Sequence, residues 1–262
     1  QVKAQLRSQF RAQHQSATKE EINNISEMAL EIGAVDVAEI YSPARITARA
    51  SEFGLRPGFA VDLLEQKPSG GPWDLNNPED LEELQQLQEE QDPFVLIGSP
   101  PCTPFSKIMA LNIAKMDPEK RARQLEEGRH HLRASVAAYR RQMQRGRYFL
   151  HEHPQGAKSW EEPEIKALQA EEGVYTVQGP MCRFDLQPIG PGGKPITGDP
   201  KDGPAFVRKE TVWVTNSKEL ADRLGGVCSN KDGSRPWHRH VHLFGGLAHF
   251  ARVYSPKLVT AI

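Results

Sequence analysis

A chain of 262 residues, 38% hydrophobic and 26% charged, has the make-up of a globular protein with room for one large α/β domain and a full core. No apolar run approaches the roughly 18–20 residues that cross a bilayer, which argues against a membrane protein, and the polar start QVKAQLRSQF does not read as a secretory leader. Three cysteines, an odd and low count, argue against a disulfide scaffold and for an intracellular, reducing setting. The formal net charge of −1 is low for a partner of phosphates, but the charges are segregated. Residues 79–92 hold seven acids and no base, and residues 115–147 hold ten Lys or Arg against four acids. That pattern fits either one basic face or a solvated, Arg-rich helix.

Residues 1–34 read as an N-terminal helical extension, with a capping box at Thr18 and Glu21 and apolar residues following at helical spacing. A domain then runs from 35 to 262. VDVAEIY (35–41) alternates as a strand, a Ser-Pro turn follows, residues to Phe53 can be helical, and FAVDLL (59–64) forms a second strand. This strand–helix–strand unit has the length of a parallel crossover, and Asp62 sits at the tip of its second strand, where nucleotide-binding folds hold a ribose. A Pro/Gly loop and an acidic helix lead to the apolar strand FVLIGSPPC (94–102). Asp117-Pro118 starts a long helix that stops at Gly146. RYFLHEHP (147–154) is a strand, residues 160–172 a helix, VYTVQ (174–178) a strand, ETVWVTN (210–216) a strand, and 218–224 a short helix. Alternating strands and helices predict a mostly parallel, doubly wound sheet, with a small irregular lobe over 179–240.

The Pro-Pro-Cys turn of GSPPCTPFS carries the chemistry. It follows a buried strand, where open α/β sheets bind ligands, and two prolines fix the direction of Cys102. Cys102 is a candidate nucleophile once its thiol ionises; a buried structural cysteine is the alternative. Carbon 5 of cytosine is not nucleophilic until a thiolate adds at carbon 6 and an acid engages ring N3. Glu152, at the end of the next strand, can be that acid; a strand-end ion pair is its plainer reading. Ser-Pro-Pro before an aromatic residue marks amino-group methyltransferases, but the fourth residue here is Cys102, which ranks nitrogen methylation lower.

The order of these segments resembles that of the DNA cytosine-C5 methyltransferases, a family of Rossmann-like class I S-adenosylmethionine-dependent enzymes. GSPPCTPFS is similar to the nucleophile motif G-x-P-P-C-x-x-F-S residue by residue. VAEIYSPARITARASEFGL is similar to the first cofactor motif, FAVDLL to the ribose-binding strand, PWDL to the adenine motif, and FLHEHP stands in place of Glu-Asn-Val. The resemblance spans roughly 35–262 and extends to methyltransferase-like segments of retrotransposon polyproteins. It implies S-adenosyl-L-methionine as cofactor, held by Tyr41, Ser42, Pro43, Ala44, Arg45, Ile46 and Thr47, by Asp62 and Leu63, by Asp74, and by Pro100. It implies Cys102 and Glu152 as catalytic residues, with Arg208 and Lys209 in place of a paired basic motif. It implies nucleic acid as substrate, DNA ahead of RNA, with a flipped base in a duplex. Three departures stand out. The first motif lacks its glycines, histidines flank Glu152, and the chain after 216 is too short for a large target-recognition domain. The last implies short specificity or a protein partner for targeting. The rival readings are the same chemistry on RNA and a degenerate, non-catalytic binding module.

A second cluster is WHRHVHL. His238, His240 and His242 alternate, and with Cys182 and Cys228 they could hold zinc. Without a Cys-x-x-Cys pair, a polar or basic strand with no metal is the preferred expectation.

Overall fold

Six strands form one sheet in the order β2-β1-β3-β4-β7-β5. They are β1 (Val37–Ile40), β2 (Pro57–Val61), β3 (Val95–Gly98), β4 (Tyr148–Pro154), β5 (Tyr175–Pro180) and β7 (Glu210–Thr215). The first four are mutually parallel, and β7 runs antiparallel between β4 and β5. A separate two-stranded parallel pair joins β6 (Ala205–Val207) to β8 (Arg239–Val241). The computed structural model describes residues 34–106, 116–190, 193–196, 203–243 and 247–262. The N-terminal extension expected over 1–34, with its capping box, lies outside the described residues up to 33. Among the described residues no helix is long and apolar enough to cross a membrane.

Period-two alternation in the strands builds a core on each side of the sheet. Ala38, Ile40, Leu96, Phe149 and Val214 point to one side, where they pack with α2 (Pro78–Gln91), α3 (Pro118–Gln144) and α4 (Pro163–Gln169) through Leu84, Leu132, Val136, Tyr139, Ile165 and Leu168. Val37, Ile97, Leu150 and Trp213 point to the other, against α1 (Thr47–Ala50), α5 (Lys218–Leu224) and α7 (Pro256–Ala261). Helices on both faces are what buries a parallel sheet. The sequence signals mark the helix starts well. Asn77, Asp117, Ser217 and Ser255 each cap a helix through the side chain, and prolines occupy the first turns of α2, α3, α4 and α7.

One expectation needs correction. The stretch 179–240 does not form one irregular lobe, because β7 lies inside the main sheet and α5 packs on it. What stands apart is the β6–β8 pair with the short helix α6 (Ser229–Asp232). For the basic run, left open between a basic face and a solvated, Arg-rich helix, five arginines among the described residues are ion-paired. Arg129 pairs with Glu162, Arg133 with Glu126, Arg140 with Glu171, and Arg145 and Arg147 with Asp92. The reason is packing: α3 lies along the acidic α2, where Gln88 bonds the Ala138 carbonyl and Gln142, and beside the acids around α4.

Candidate active site

The chain leaves β1 for β2 on one side and later returns to β3 on β1's other side, so the strand order reverses between β1 and β3. Ligands of open α/β sheets bind beyond the carboxyl ends of strands at such a point. The residues there are the 41–47 loop after β1 and the Ser99–Pro100–Pro101–Cys102 turn after β3. β4 runs past Gly98, and antiparallel β7 brings Lys209 back to the same edge opposite its end.

Cys102 is partly buried and precedes a short 3-10 turn over Thr103–Phe105. Burial pushes its thiol pKa up, the Glu152 carboxylate adds to that, and the Lys209 ammonium opposes it. The resting sulfur is therefore a thiol, with a carboxylate and an ammonium close enough to act on it. Glu152 is almost fully buried. Its Oε1 lies 3.4 Å from Lys209 Nζ and has no hydrogen-bond partner among the described residues. A buried carboxylate oxygen without a donor is costly, so an acceptor is held ready for something that donates. Lys209 takes a left-handed backbone conformation with φ 27°, which turns it away from its neighbour Arg208. Arg208 pairs with Glu210 and acts on Cys182 and His240 instead. Of the paired basic residues, only Lys209 joins Cys102 and Glu152.

The histidines flanking Glu152 have structural work. Strand alternation sends His151 and His153 to the opposite face, where their rings lie 4.8 Å apart beside Trp160. His153 Nε2 is 2.8 Å from the Pro100 carbonyl, which can only accept, so Nε2 carries the proton and Nδ1 accepts from Ser159 Oγ at 2.7 Å. This bond ties β4 directly to the Pro-Pro turn and fixes where Cys102 starts. Burial lowers the pKa of both imidazoles, so both are neutral at pH 7. Sequence reading missed His153 in this role, although its alternation with Glu152 was visible.

The loop after β1 is organised by Glu39, also missed. This fully buried carboxylate accepts from Ser42 Oγ at 2.9 Å through Oε1. Its Oε2 accepts from the backbone N–H groups of Arg45, Ile46 and Thr47 and from Thr47 Oγ1, at 2.8–3.0 Å. The glycine-poor loop is thus held by a side chain rather than by glycine turns. Around it, Tyr41 takes φ 56° and bonds His131 through its hydroxyl. Ala44 N–H donates to Glu65, Arg45 donates to the Arg252 carbonyl, and Ile46 is buried in the core while Pro43 is half-exposed. Asp62 lies just past β2, half-buried, accepting from Leu64 N–H; Leu63 beside it is 70% exposed. Asp74 is exposed and bonds Asn76. Among the described residues neither Asp62 nor Asp74 is ion-paired with Lys or Arg. Pro100 is buried. Tyr254 bonds Ser99 at 2.9 Å and closes the turn from the α7 side.

Of the candidate metal residues, the structure gathers Cys182, Cys228, His238 and His240, with ligand atoms all within 4.8 Å of one another; His242 is not in the group.

No protein-family model matches this chain, and no curated protein matches its sequence.

Proposed function

We propose that this chain is a class I, Rossmann-like methyltransferase that uses S-adenosyl-L-methionine to methylate carbon 5 of cytosine in nucleic acid, DNA ahead of RNA. One observation carries the reading: a thiol, a buried carboxylate whose Oε1 accepts no hydrogen bond among the described residues, and an ammonium converge beside the strand-order reversal, on the motif G-S-P-P-C. A parallel, helix-flanked sheet with one antiparallel strand near its edge suits that fold.

The residues at the reversal fit the cofactor by their donor set. Asp62 and Asp74, not ion-paired with Lys or Arg among the described residues, would hold ribose hydroxyls and an adenine amine, Leu63 would offer an apolar face, and the Glu39-held loop 42–47 would hold the methionine part. When bound, the cofactor supplies an electrophilic methyl group. The protein's own residues do the rest. Cys102 passes its proton to the Glu152 carboxylate as its sulfur bonds to carbon 6 of the base. Glu152, now the acid, gives that proton to N3, so that the electron pair displaced from the carbon 5–carbon 6 double bond gathers on carbon 5. After carbon 5 is methylated, water takes its proton and the carbon–sulfur bond breaks, which restores Cys102. Lys209 offsets the negative charge of Glu152 and favours the Cys102 thiolate. His153 and Ser99 hold the turn so that the sulfur approaches from one direction. A base in a duplex must leave the stack to reach this edge.

Trapping tests the proposal. With cofactor and an oligonucleotide carrying 5-fluorocytosine, the chain is expected to form a denaturation-resistant adduct that Cys102→Ala abolishes. DNA and RNA versions identify the polymer. No adduct on either, with cofactor binding absent by calorimetry and nucleic-acid binding kept, refutes the enzyme and supports a binding module.

A further inference from the structure

We propose that Cys182, Cys228, His238 and His240 form a tetrahedral zinc site that clamps the β6–β8 pair to the main sheet. Three elements converge there. Cys182 lies in the 3-10 turn after β5, Cys228 caps α6, His238 precedes β8 and His240 lies within it. Three of the four side chains are buried, and His240 is partly so.

The distances are those of ligands around one ion. His238 Nε2 and His240 Nε2 are 3.1 Å apart, and Cys228 Sγ is 3.5 and 3.3 Å from them. With zinc–nitrogen bonds of about 2.0–2.1 Å and zinc–sulfur bonds of about 2.3 Å, the edges of a tetrahedron are about 3.4 Å for N–N and about 3.6 Å for S–N. Without an ion the arrangement is unfavourable. The two Nε2 atoms and the Cys228 sulfur all face one another, so they compete for the same few protons. An ion shared by both Nε2 atoms and both sulfurs removes that conflict. Two thiolates and two neutral imidazoles balance the charge of a divalent ion and leave no open position, which makes the site structural rather than catalytic.

An outer layer supports the ligands. Asn230 N–H points at Cys228 Sγ at 3.4 Å, and the Asn230 side chain bonds both backbone groups of His238, at 2.8 and 3.0 Å. The Phe206 ring lies 5.1 Å from the His238 ring. β6 ends at Val207, two residues before Lys209. An ion at this place therefore fixes the strand that delivers Lys209 to Glu152. The site stands independently of the methyltransferase reading.

The test uses the intact chain expressed with zinc in the medium. One zinc per chain is expected by elemental mass spectrometry. Cobalt exchanged for zinc is expected to give the visible bands of a tetrahedral ion and a thiolate charge-transfer band. Cys228→His should keep one metal but weaken the charge-transfer band, while Cys102→Ser and His242→Asn should change neither stoichiometry nor spectrum. A folded wild-type chain with under one-tenth of an equivalent of zinc and no cobalt bands overturns the proposal, whatever the variants do. So does a cobalt spectrum that Cys102→Ser abolishes or Cys228→His leaves untouched.

Discussion

Replacing Gly98 by alanine tests why a glycine opens the Pro-Pro-Cys turn. Its backbone does not need glycine's left-handed freedom; the constraint is space. A Cβ there would sit 2.0 Å from Tyr139 Oη, 3.0 Å from Tyr139 Cζ and 3.1 Å from Ile40 Cγ1. Tyr139 cannot swing clear. It is fully buried, stacked on Phe149 with centroids 4.8 Å apart, and bonded to His151 Nδ1 at 3.1 Å. Moving Oη by the more than 1 Å that contact demands breaks the His151 bond and displaces the ring. Overpacking costs about 1–3 kcal/mol and a broken buried hydrogen bond about 1–3 kcal/mol. Relief of unfolded-chain entropy returns about 0.4–1 kcal/mol, so Gly98→Ala should lose about 3 kcal/mol. Tyr139→Phe alone should cost about 1 kcal/mol by leaving His151 Nδ1 unpartnered. Added to Gly98→Ala, it should cost nothing or restore stability, a coupling of at least about 1 kcal/mol. Urea midpoints of the four proteins measure this directly. A Gly98→Ala loss under about 0.5 kcal/mol, or simple additivity in the double variant, refutes the steric account.

Two further predictions follow the electrostatics. Cys102 should be alkylated by iodoacetamide more slowly than free cysteine at pH 8, because its thiol pKa is raised. Glu152→Gln should speed that reaction while lowering methyl transfer at least about 100-fold, and Lys209→Met should slow it; peptide mapping separates Cys102 from the buried cysteines, and an unchanged rate in Glu152→Gln contradicts the assigned proximity. Stability should also fall on acidification below the ordinary histidine range. His151 and His153 are held neutral in the folded chain, so the unfolded chain binds more protons there. The stability each confers is full above the unfolded pKa and is lost as pH drops toward the folded one, by at most about 1.4 kcal/mol per pH unit per histidine. His153→Gln should flatten the unfolding free energy between pH 6.5 and 5, and an unchanged slope rules out a buried neutral imidazole at that position.

Local patterns in the chain determined most element types and the helix caps, and singled out Cys102 as the candidate nucleophile, because caps, prolines and period-two alternation are short-range properties. The start of α3 at Pro118 and the whole of α5 over Lys218–Leu224 follow from residues within a turn of each boundary. Tertiary structure decided which distant groups meet. Glu39 reads as a strand residue until the chain bends back and three amides point at it. His151 and His153 look like part of the Glu152 motif until the pleat sends them to the opposite face. Arg208 and Lys209 are neighbours in sequence, yet a left-handed turn at Lys209 sends one to Glu210 and the other to Glu152. The metal cluster joins residues 182 and 240 through a strand pair whose partners, β6 and β8, lie more than thirty residues apart along the chain. Such pairings depend on loop closure and on packing across the sheet, and no local periodicity encodes them.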